Sequence, residues 1–561
     1  MTTATADVRT MQSGMQSGMQ SAVLDDAHVG DIKGAFGTIR LDDHASPKGM
    51  PAQLKTLLAI VGPGLIVMVG DNDAGAFATY GQAGHDYGTK LLWTLLLLVP
   101  VLYVNQEMVL RLGAVTGVGH ARLIFERFGR FWGAFSVIDL FILNALTLVT
   151  EFIGITLATG YLGLPKVPSV ILAALVIVAA ASTGSFRRFE RLAVTLCLGS
   201  LLLVPISLMA HPSVGTMAHG FVTPNLPTGT GGMAAVMLLI IGIVGTTVAP
   251  WQLFFQQSYV IDKRITPRFM KYEKADLWLG IGIVIIGGAA IMGMGAAAFS
   301  VAGSGDFQNA GSLATALANY GGRALGDMFA VALLDASIIG AFAVSLSTAY
   351  AIGDCLKMNH SLHRGVKQAK GFYAVYAGVI ALAAVIVLAA SDHVQGILTV
   401  GVQALAGVLL PSASVYLLML CTDKDVLGPW VNGKKTTMFT ASVIALLVAL
   451  SLVLTGSVLD PHLTSGQILA ILAGSGVVSL ALAAVTGVRA LRKRRELAWN
   501  GFAPEPVDRG GRDEWRMPPL AELGPAEMTR ARRVSLAVLR TYLGIATVLV
   551  VVKLVAMALG H

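Results

Sequence analysis

The sequence predicts an all-α polytopic membrane protein built on a five-plus-five inverted repeat, with about three further helices at its carboxyl-terminal end. Three observations carry that prediction: apolar windows of membrane-spanning length recur, Lys and Arg alternate between connectors, and the first and sixth windows are interrupted alike. Of 561 residues, 55% are hydrophobic and 13% charged, and the mean hydropathy of +0.71 is far too high for a soluble chain of this size. Cys197, Cys355 and Cys421 stand far apart without metal-ligand spacing, so they predict packing and neither a disulfide framework nor a zinc site. The formal net charge of +8 resides in connectors, where orientation in the membrane accounts for it, and no nucleic-acid partner is expected.

Taken in order, residues 1–52 hold a low-complexity run from Met11 to Ser21 and no signal-peptide core, and are expected to form a disordered cytoplasmic tail. From Leu54 onward, apolar windows of roughly 17 to 25 residues recur. They predict thirteen spans, at 54–82, 89–112, 131–158, 167–183, 190–210, 232–261, 275–300, 326–352, 371–390, 394–420, 437–456, 465–488 and 534–558. Alternate connectors are basic: Arg111 to Arg130, Arg187 to Arg191, Lys263 to Lys274, Lys357 to Lys370, Lys424 to Lys435, and the arginines within 489–533. The intervening connectors offer little beyond Lys90, Lys166 and Arg323. Cytoplasmic loops carry such an excess, so the amino terminus is expected inside, in a plasma (inner) membrane. A core of 53–430 therefore divides into repeat one (54–210) and repeat two (232–420), followed by additional helices over 431–561 and a cytoplasmic connector at 489–533. That connector reads as a linker, with regulation or anionic-lipid binding as the other reading.

The first span is interrupted by Gly70-Asp71-Asn72-Asp73-Ala74-Gly75 and the sixth by Gly245-Thr246-Thr247-Val248-Ala249-Pro250-Trp251. A separation of five spans places corresponding helices of an odd-numbered repeat in opposite orientation, so the two breaks meet near the midplane. Half-helix ends and freed carbonyls there can hold an ion that regular helices cannot. A carboxylate at that depth costs several kcal/mol unless it is paired, hydrated or ligating, which makes Asp71 and Asp73 the leading candidates for a cation site.

These residues also carry a family resemblance. Gly62-Pro63-Gly64, Asp73, Gly75, Phe77-Ala78-Thr79, Gln82-Ala83-Gly84, Tyr87-Gly88 and Lys90-Leu91-Leu92-Trp93 resemble the first two spans of the NRAMP divalent metal transporters. Leu112 to Gly117, Glu151-Phe152-Ile153-Gly154, Arg188-Phe189-Glu190 and the sixth-span break extend the similarity over residues 54–430. The resemblance implies the LeuT-like fold and alternating access to a central metal site. It also exposes departures. Where family members carrying iron or manganese have Asp-Pro-Gly-Asn, this chain has Asp73, Ala74, Gly75 and Ala76. Their Ala-x-x-Met-Pro-His becomes Thr246 to Trp251, with Ala249 in place of the thioether and Trp251 in place of the histidine tied to proton movement. Their Asp-x-x-Glu becomes Leu148 to Glu151.

Loss of the thioether favours hard ions, which carboxylate, carbonyl and water oxygens suit. Mg²⁺ keeps several waters, and Ala76 and Ala249 leave room for them. The pattern is most similar to the NRAMP-related magnesium transporters, a branch that accepts Mg²⁺ and Mn²⁺ and is not proton-coupled. The expected metal donors are Asp73, Asp71, the Thr246 carbonyl and the Gln252 amide, with Gly75, Ala76, Ala249, Pro250 and Trp251 shaping the site and Glu151 and Gln403 on a possible pathway. Structural alternatives stand beside each: Asp73 as a helix cap, Asp71 paired to a backbone amide, Thr246 and the alanines as packing, and Gln252 bonded to a neighbouring helix. The expected partners are a divalent cation, as cargo and not cofactor, and the lipid bilayer. A proton-coupled Mn²⁺/Fe²⁺ importer and an amino-acid or organic-cation symporter on the same fold are the alternative functions. No Walker, His-Glu-x-x-His or Gly-x-Ser-x-Gly sequence occurs, so an enzyme is not expected.

Overall fold

The computed structural model describes residues 26–43, 47–227, 232–301, 305–459, 463–499 and 509–526, together with scattered positions after 532. Among them, ten helices are long and apolar enough to cross a bilayer, and a pair bent by 54°, Met50–Ile60 and Pro63–Val69, supplies an eleventh span. Lys166–Ala181, 16 residues long, takes the place of the expected fourth span. At 1.5 Å per residue it runs about 24 Å, somewhat short of the roughly 30 Å hydrocarbon core. The thirteenth expected span, 534–558, lies largely outside the described residues.

Both predicted breaks are present. The first span resumes after Gly70 as Ala74–Tyr87, and the sixth divides into Gly232–Thr247 and Pro250–Asp262. Pro250 fixes the second break, because it has no N–H to continue the ladder and holds the preceding Ala249 extended at φ −90°, ψ 146°. Around them lie the second span (Trp93–Thr116), the third (Arg130–Tyr161), the seventh (Met270–Ala298), the eighth (Arg323–Leu356) and the tenth (Asp392–Cys421). Lys434–Leu459 and Ser465–Trp499 follow the core.

The first span has a second interruption, at Val61-Gly62, where the chain bends before Pro63. Two buried charges satisfy the backbone groups it frees. Lys263 Nζ donates to the carbonyls of Ile60 at 2.6 Å and Val61 at 2.8 Å, while the Asp276 carboxylate accepts from the N–H groups of Gly62, Gly64 and Leu65 at 3.1, 2.7 and 3.3 Å. Lys263 also pairs with Glu190 of the fifth span (Phe186–Met209) at 2.7 Å, both side chains being fully buried. Gly62 is required by proximity: a Cβ there, at φ +156°, would lie 2.4 Å from Glu190 Oε1 and 3.0 Å from Lys263 Nζ.

The amino-terminal expectation needs correction for residues 26–43. They fold against the Lys/Arg-rich end of the bundle as a short antiparallel hairpin, Ile32–Lys33 with Thr38–Ile39. Its amides and carbonyls are taken up by charged side chains remote in sequence. Ala35 N–H donates to Glu190 at 2.6 Å, Arg187 and Arg191 donate to the carbonyls of Gly34 and Ala35, and Arg264 donates to those of Ala27 and Asp31. The connector likewise packs over residues 509–526: Met517 is buried, Ala526 N–H donates to Arg127 O at 2.8 Å, and Trp430 Nε1 donates to Arg512 O at 2.6 Å.

His360, in the loop after the eighth span, joins the amino-terminal segment to this end. Its Nε2 lies 3.0 Å from Asp354 Oδ1, and its carbonyl meets His28 Nε2 at 3.1 Å. Burial lowers the imidazole pKa, but the Asp354 carboxylate outweighs that and brings it up to about 9. A folded value above the ordinary one means the stabilisation is complete below about pH 6.5 and disappears as pH rises through about 9. Thermal unfolding followed across that window is expected to show a loss on the order of 3 kcal/mol. His360→Gln should flatten the profile.

Candidate functional site

The two breaks meet. Asp71 and Asp73 are 1% and 2% exposed, and Asp71 meets the start of the second half of span six, where Gln252 Nε2 donates to its Oδ1 and approaches the Thr247 carbonyl at 3.5 Å. Asp73 caps the half-helix Ala74–Tyr87, its Oδ1 accepting from Ala76 N–H at 2.9 Å. The cap occupies one oxygen only, so capping leaves the carboxylate available for a second task. In span six, the helical donor for the Thr246 carbonyl would be Pro250, which has no N–H. Tyr80 and Thr247, hydroxyl to hydroxyl at 2.7 Å, tie the second half of span one to span six.

Four further helices complete the enclosure. From span three, Glu151 lies beside Asp73 and accepts from Ala74 N–H at 3.2 Å. From span ten, Gln403 packs so tightly on Gly75 that a Cβ there would fall 1.7 Å from its Nε2, while its carbonyl would lie 2.1 Å from a Cβ at Gly245. From span eight, Gly340 admits both carboxylates, since its absent Cβ would sit 2.6 Å from Glu151 Oε2 and 3.0 Å from Asp73 Cβ. From span two, Gln106 Nε2 donates to Gln252 Oε1 at 2.8 Å. Thus Glu151 and Gln403, expected only along a pathway, adjoin the centre.

Gln252 departs from its expected role. Its nitrogen serves Asp71 and its oxygen accepts from Gln106, because a carboxylate demands a donor and leaves the amide oxygen facing the other way. It orients Asp71. Trp251 is buried against Gly70, and its carbonyl accepts from Ser347 at 2.9 Å, consistent with shaping. Ala76 and Ala249 are buried small side chains at the two breaks. Asn72, between the aspartates, turns outward to the Val284 carbonyl at 3.3 Å.

Several buried polar atoms around the breaks have no hydrogen-bond partner: Asp71 Oδ2, Glu151 Oε1, Thr246 Oγ1, Gln106 Oε1 and Gln403 Nε2. Buried polar atoms left unmatched cost about 1–3 kcal/mol each, and the oxygens among these five could be satisfied by a cation or its water. Among the described residues, no three His, Cys, Asp or Glu side chains gather into a self-sufficient metal cluster. A cation at this site would therefore rely on backbone carbonyls and retained water as well as carboxylates.

Comparison with known proteins agrees with this arrangement. The family model described as "Natural resistance-associated macrophage protein-like" matches residues 64–457. A divalent metal cation transporter MntH from Ralstonia nicotianae is 29% identical over 435 residues, covering 74% of this chain and 94% of that protein. The MntH of Burkholderia ambifaria is 26% identical over 428 residues, covering 72% and 90%. The crystal structure of the Eremococcus coleocola manganese transporter superposes with a TM-score of 0.62 at 21% identity, covering 81% of this chain and 99% of that one, a likeness of fold. With the family model spanning well over half of its length and the two breaks meeting at buried carboxylates, this multi-pass membrane protein belongs to the Nramp family.

Proposed function

We propose that the protein carries divalent cations, Mg²⁺ or Mn²⁺, across a plasma membrane by alternating access and without proton coupling, as in the magnesium-transporting branch of the family. The observation that carries this reading is that the break bearing Asp71 and Asp73 meets, through the Asp71–Gln252 bond, a break whose Thr246 carbonyl has lost its helical donor and whose position 249 carries a methyl group and no sulfur. Oxygen-only donors favour a hard, partly hydrated ion. An inside-negative potential contributes about 2.3 kcal/mol per charge per 100 mV, doubled for a divalent ion, so a coupling ion is not required for uptake.

A proton-coupled Mn²⁺/Fe²⁺ importer is the second reading, and one contact favours it. Glu151 touches Asp73, which leaves a titratable group beside the ion. The relatives named as MntH point the same way. Uptake of Mg²⁺ and Mn²⁺ into liposomes holding purified protein, with internal pH recorded, separates the two. Mg²⁺ uptake with a flat pH trace supports the first; Mn²⁺ uptake with internal acidification and no Mg²⁺ uptake supports the second. Gly75→Ala offers a further check, because the new methyl group displaces the flexible amide of Gln403 and should slow uptake about tenfold, the lower range for loss of an outer partner of a metal, while thermal stability is retained.

A further inference from the structure

A second polar cavity, remote from the two breaks, lies at the Lys/Arg-rich end of the bundle. It has a volume of about 330 Å³ and is lined by Arg111 and Glu107 of span two, Lys274 of span seven, Trp430, and Arg509 and Arg512 of the carboxyl-terminal connector. Four cations therefore face one carboxylate within it. Glu107 is shared by Arg111 at 3.3 Å and Lys274 at 3.0 Å, and the exposed Asp513 approaches Arg512 at 3.6 Å from the solvent side, which leaves a positive excess.

The cavity is assembled, not incidental. Arg111 is only 7% exposed; its terminal nitrogens donate to the Trp430 carbonyl at 2.6 Å and to Asn432 Oδ1 at 2.5 Å, and its Nε has no partner. Arg512 stacks over the Trp430 ring at 4.8 Å and accepts through its carbonyl from Trp430 Nε1 at 2.6 Å, so the connector closes one wall. The opposite wall reaches the outer surface of the bundle: Tyr103 lines the cavity and stacks on Trp278 at 4.7 Å, and Trp278 is 48% exposed beside the exposed Leu279. A half-exposed tryptophan just past Lys271 and Lys274, in the first third of Met270–Ala298, suits an interfacial aromatic anchor. A ligand here meets guanidinium forks at one end and an apolar, bilayer-facing surface at the other.

We propose that this cavity binds the phosphate headgroup of an anionic phospholipid, with its acyl chains lying along the Tyr103–Trp278 pair. Arginine forks suit phosphate oxygens, and basic pockets between membrane helices on the cytoplasmic side recognise anionic headgroups. Arg509 and Arg512 lie beyond the family match, which ends at residue 457, whereas Glu107, Arg111, Lys274 and Trp430 lie within it, so the cavity joins the matched core to the carboxyl-terminal connector.

Native mass spectrometry of the full-length protein in detergent, titrated with phosphatidylglycerol, phosphatidylcholine or inorganic phosphate, provides the test. Phosphatidylglycerol should be retained in preference to phosphatidylcholine. Arg512→Ala and Lys274→Ala should each weaken its binding about fivefold, the effect of one juxtamembrane charge, Trp278→Ala should weaken it as well, and Lys367→Ala, an equal charge change elsewhere on the same side, should not. Equal retention of both lipids, or unchanged affinity in both Arg512→Ala and Lys274→Ala, would overturn the proposal. Displacement of phosphatidylglycerol by inorganic phosphate, with Trp278→Ala silent, would also overturn it by assigning the cavity to a soluble anion.

Discussion

Asp73→Ala is expected to abolish metal uptake while the protein still folds. Its carboxylate caps Ala74–Tyr87 and, under the proposed function, is also an oxygen donor to the cation, and the two losses differ in size. Removal of an N-cap costs about 0.5–2 kcal/mol, an amount that a core this extensively buried tolerates. Loss of a direct donor should exceed the roughly 10- to 100-fold penalty known for outer partners of a metal. Asp73→Asn distinguishes them, because an amide oxygen can still accept from Ala76 N–H but brings no charge to the ion. Uptake into liposomes, read together with thermal unfolding, should show Asp73→Asn as stable as the parent and still defective in transport.

Lys263→Met should destabilise the protein by about 3–5 kcal/mol, the cost of leaving a buried partner charge uncompensated. The stranded group is Glu190, and the Ile60 and Val61 carbonyls lose their donor at the same time. Replacing both members, Lys263→Met with Glu190→Leu, should recover part of that loss in a double-mutant cycle read by thermal unfolding, because the charge penalty then disappears. Recovery should stay incomplete: the Ile60 and Val61 carbonyls remain without Lys263, and Ala35 N–H loses the Glu190 oxygen it donates to.

Why the sequence reveals some of this and hides the rest follows from the range over which each signal acts. The break at Asp71 to Gly75 is legible because carboxylates inside an apolar window are costly, and the break at Ala249-Pro250 because proline removes a donor; both signals are local. The hinge at Val61-Gly62 is not, since Gly62-Pro63-Gly64 fits an apolar window and its justification lies in Lys263 and Asp276, over two hundred residues away. Lys263 reads as one more cytoplasmic charge until its burial is seen. Gln106 lies in the polar triplet Asn105-Gln106-Glu107, which resembles the interfacial end of a span; only its bond to Gln252 shows that it supports the centre. Residues 26–43 carry no apolar periodicity at all. Their order comes from Glu190, Arg187, Arg191 and Arg264, whose side chains supply the hydrogen bonds that a two-stranded hairpin cannot supply for itself.

The role of Gln252 is likewise set by what stands opposite it. Spacing along the chain places it one turn into the half-helix and near the ion, but which end of its amide faces inward depends on what stands opposite. Asp71 requires the nitrogen. A substitution such as Gln252→Glu would keep an oxygen for Gln106 Nε2 but remove the donor to Asp71 and set two carboxylates against each other, so its effect on transport is expected to act through Asp71.

Anomalous scattering from crystals grown with Mn²⁺ can locate the cation itself, because Mn²⁺ is accepted under either functional reading and is visible where Mg²⁺ is not. A single strong peak between the carboxylates of Asp71 and Asp73 and the Thr246 carbonyl is the predicted result. A transport-competent protein whose Mn²⁺ peak lies away from both breaks, or whose peak is unchanged in Asp73→Ala, would rule out a cation site at Asp71 and Asp73.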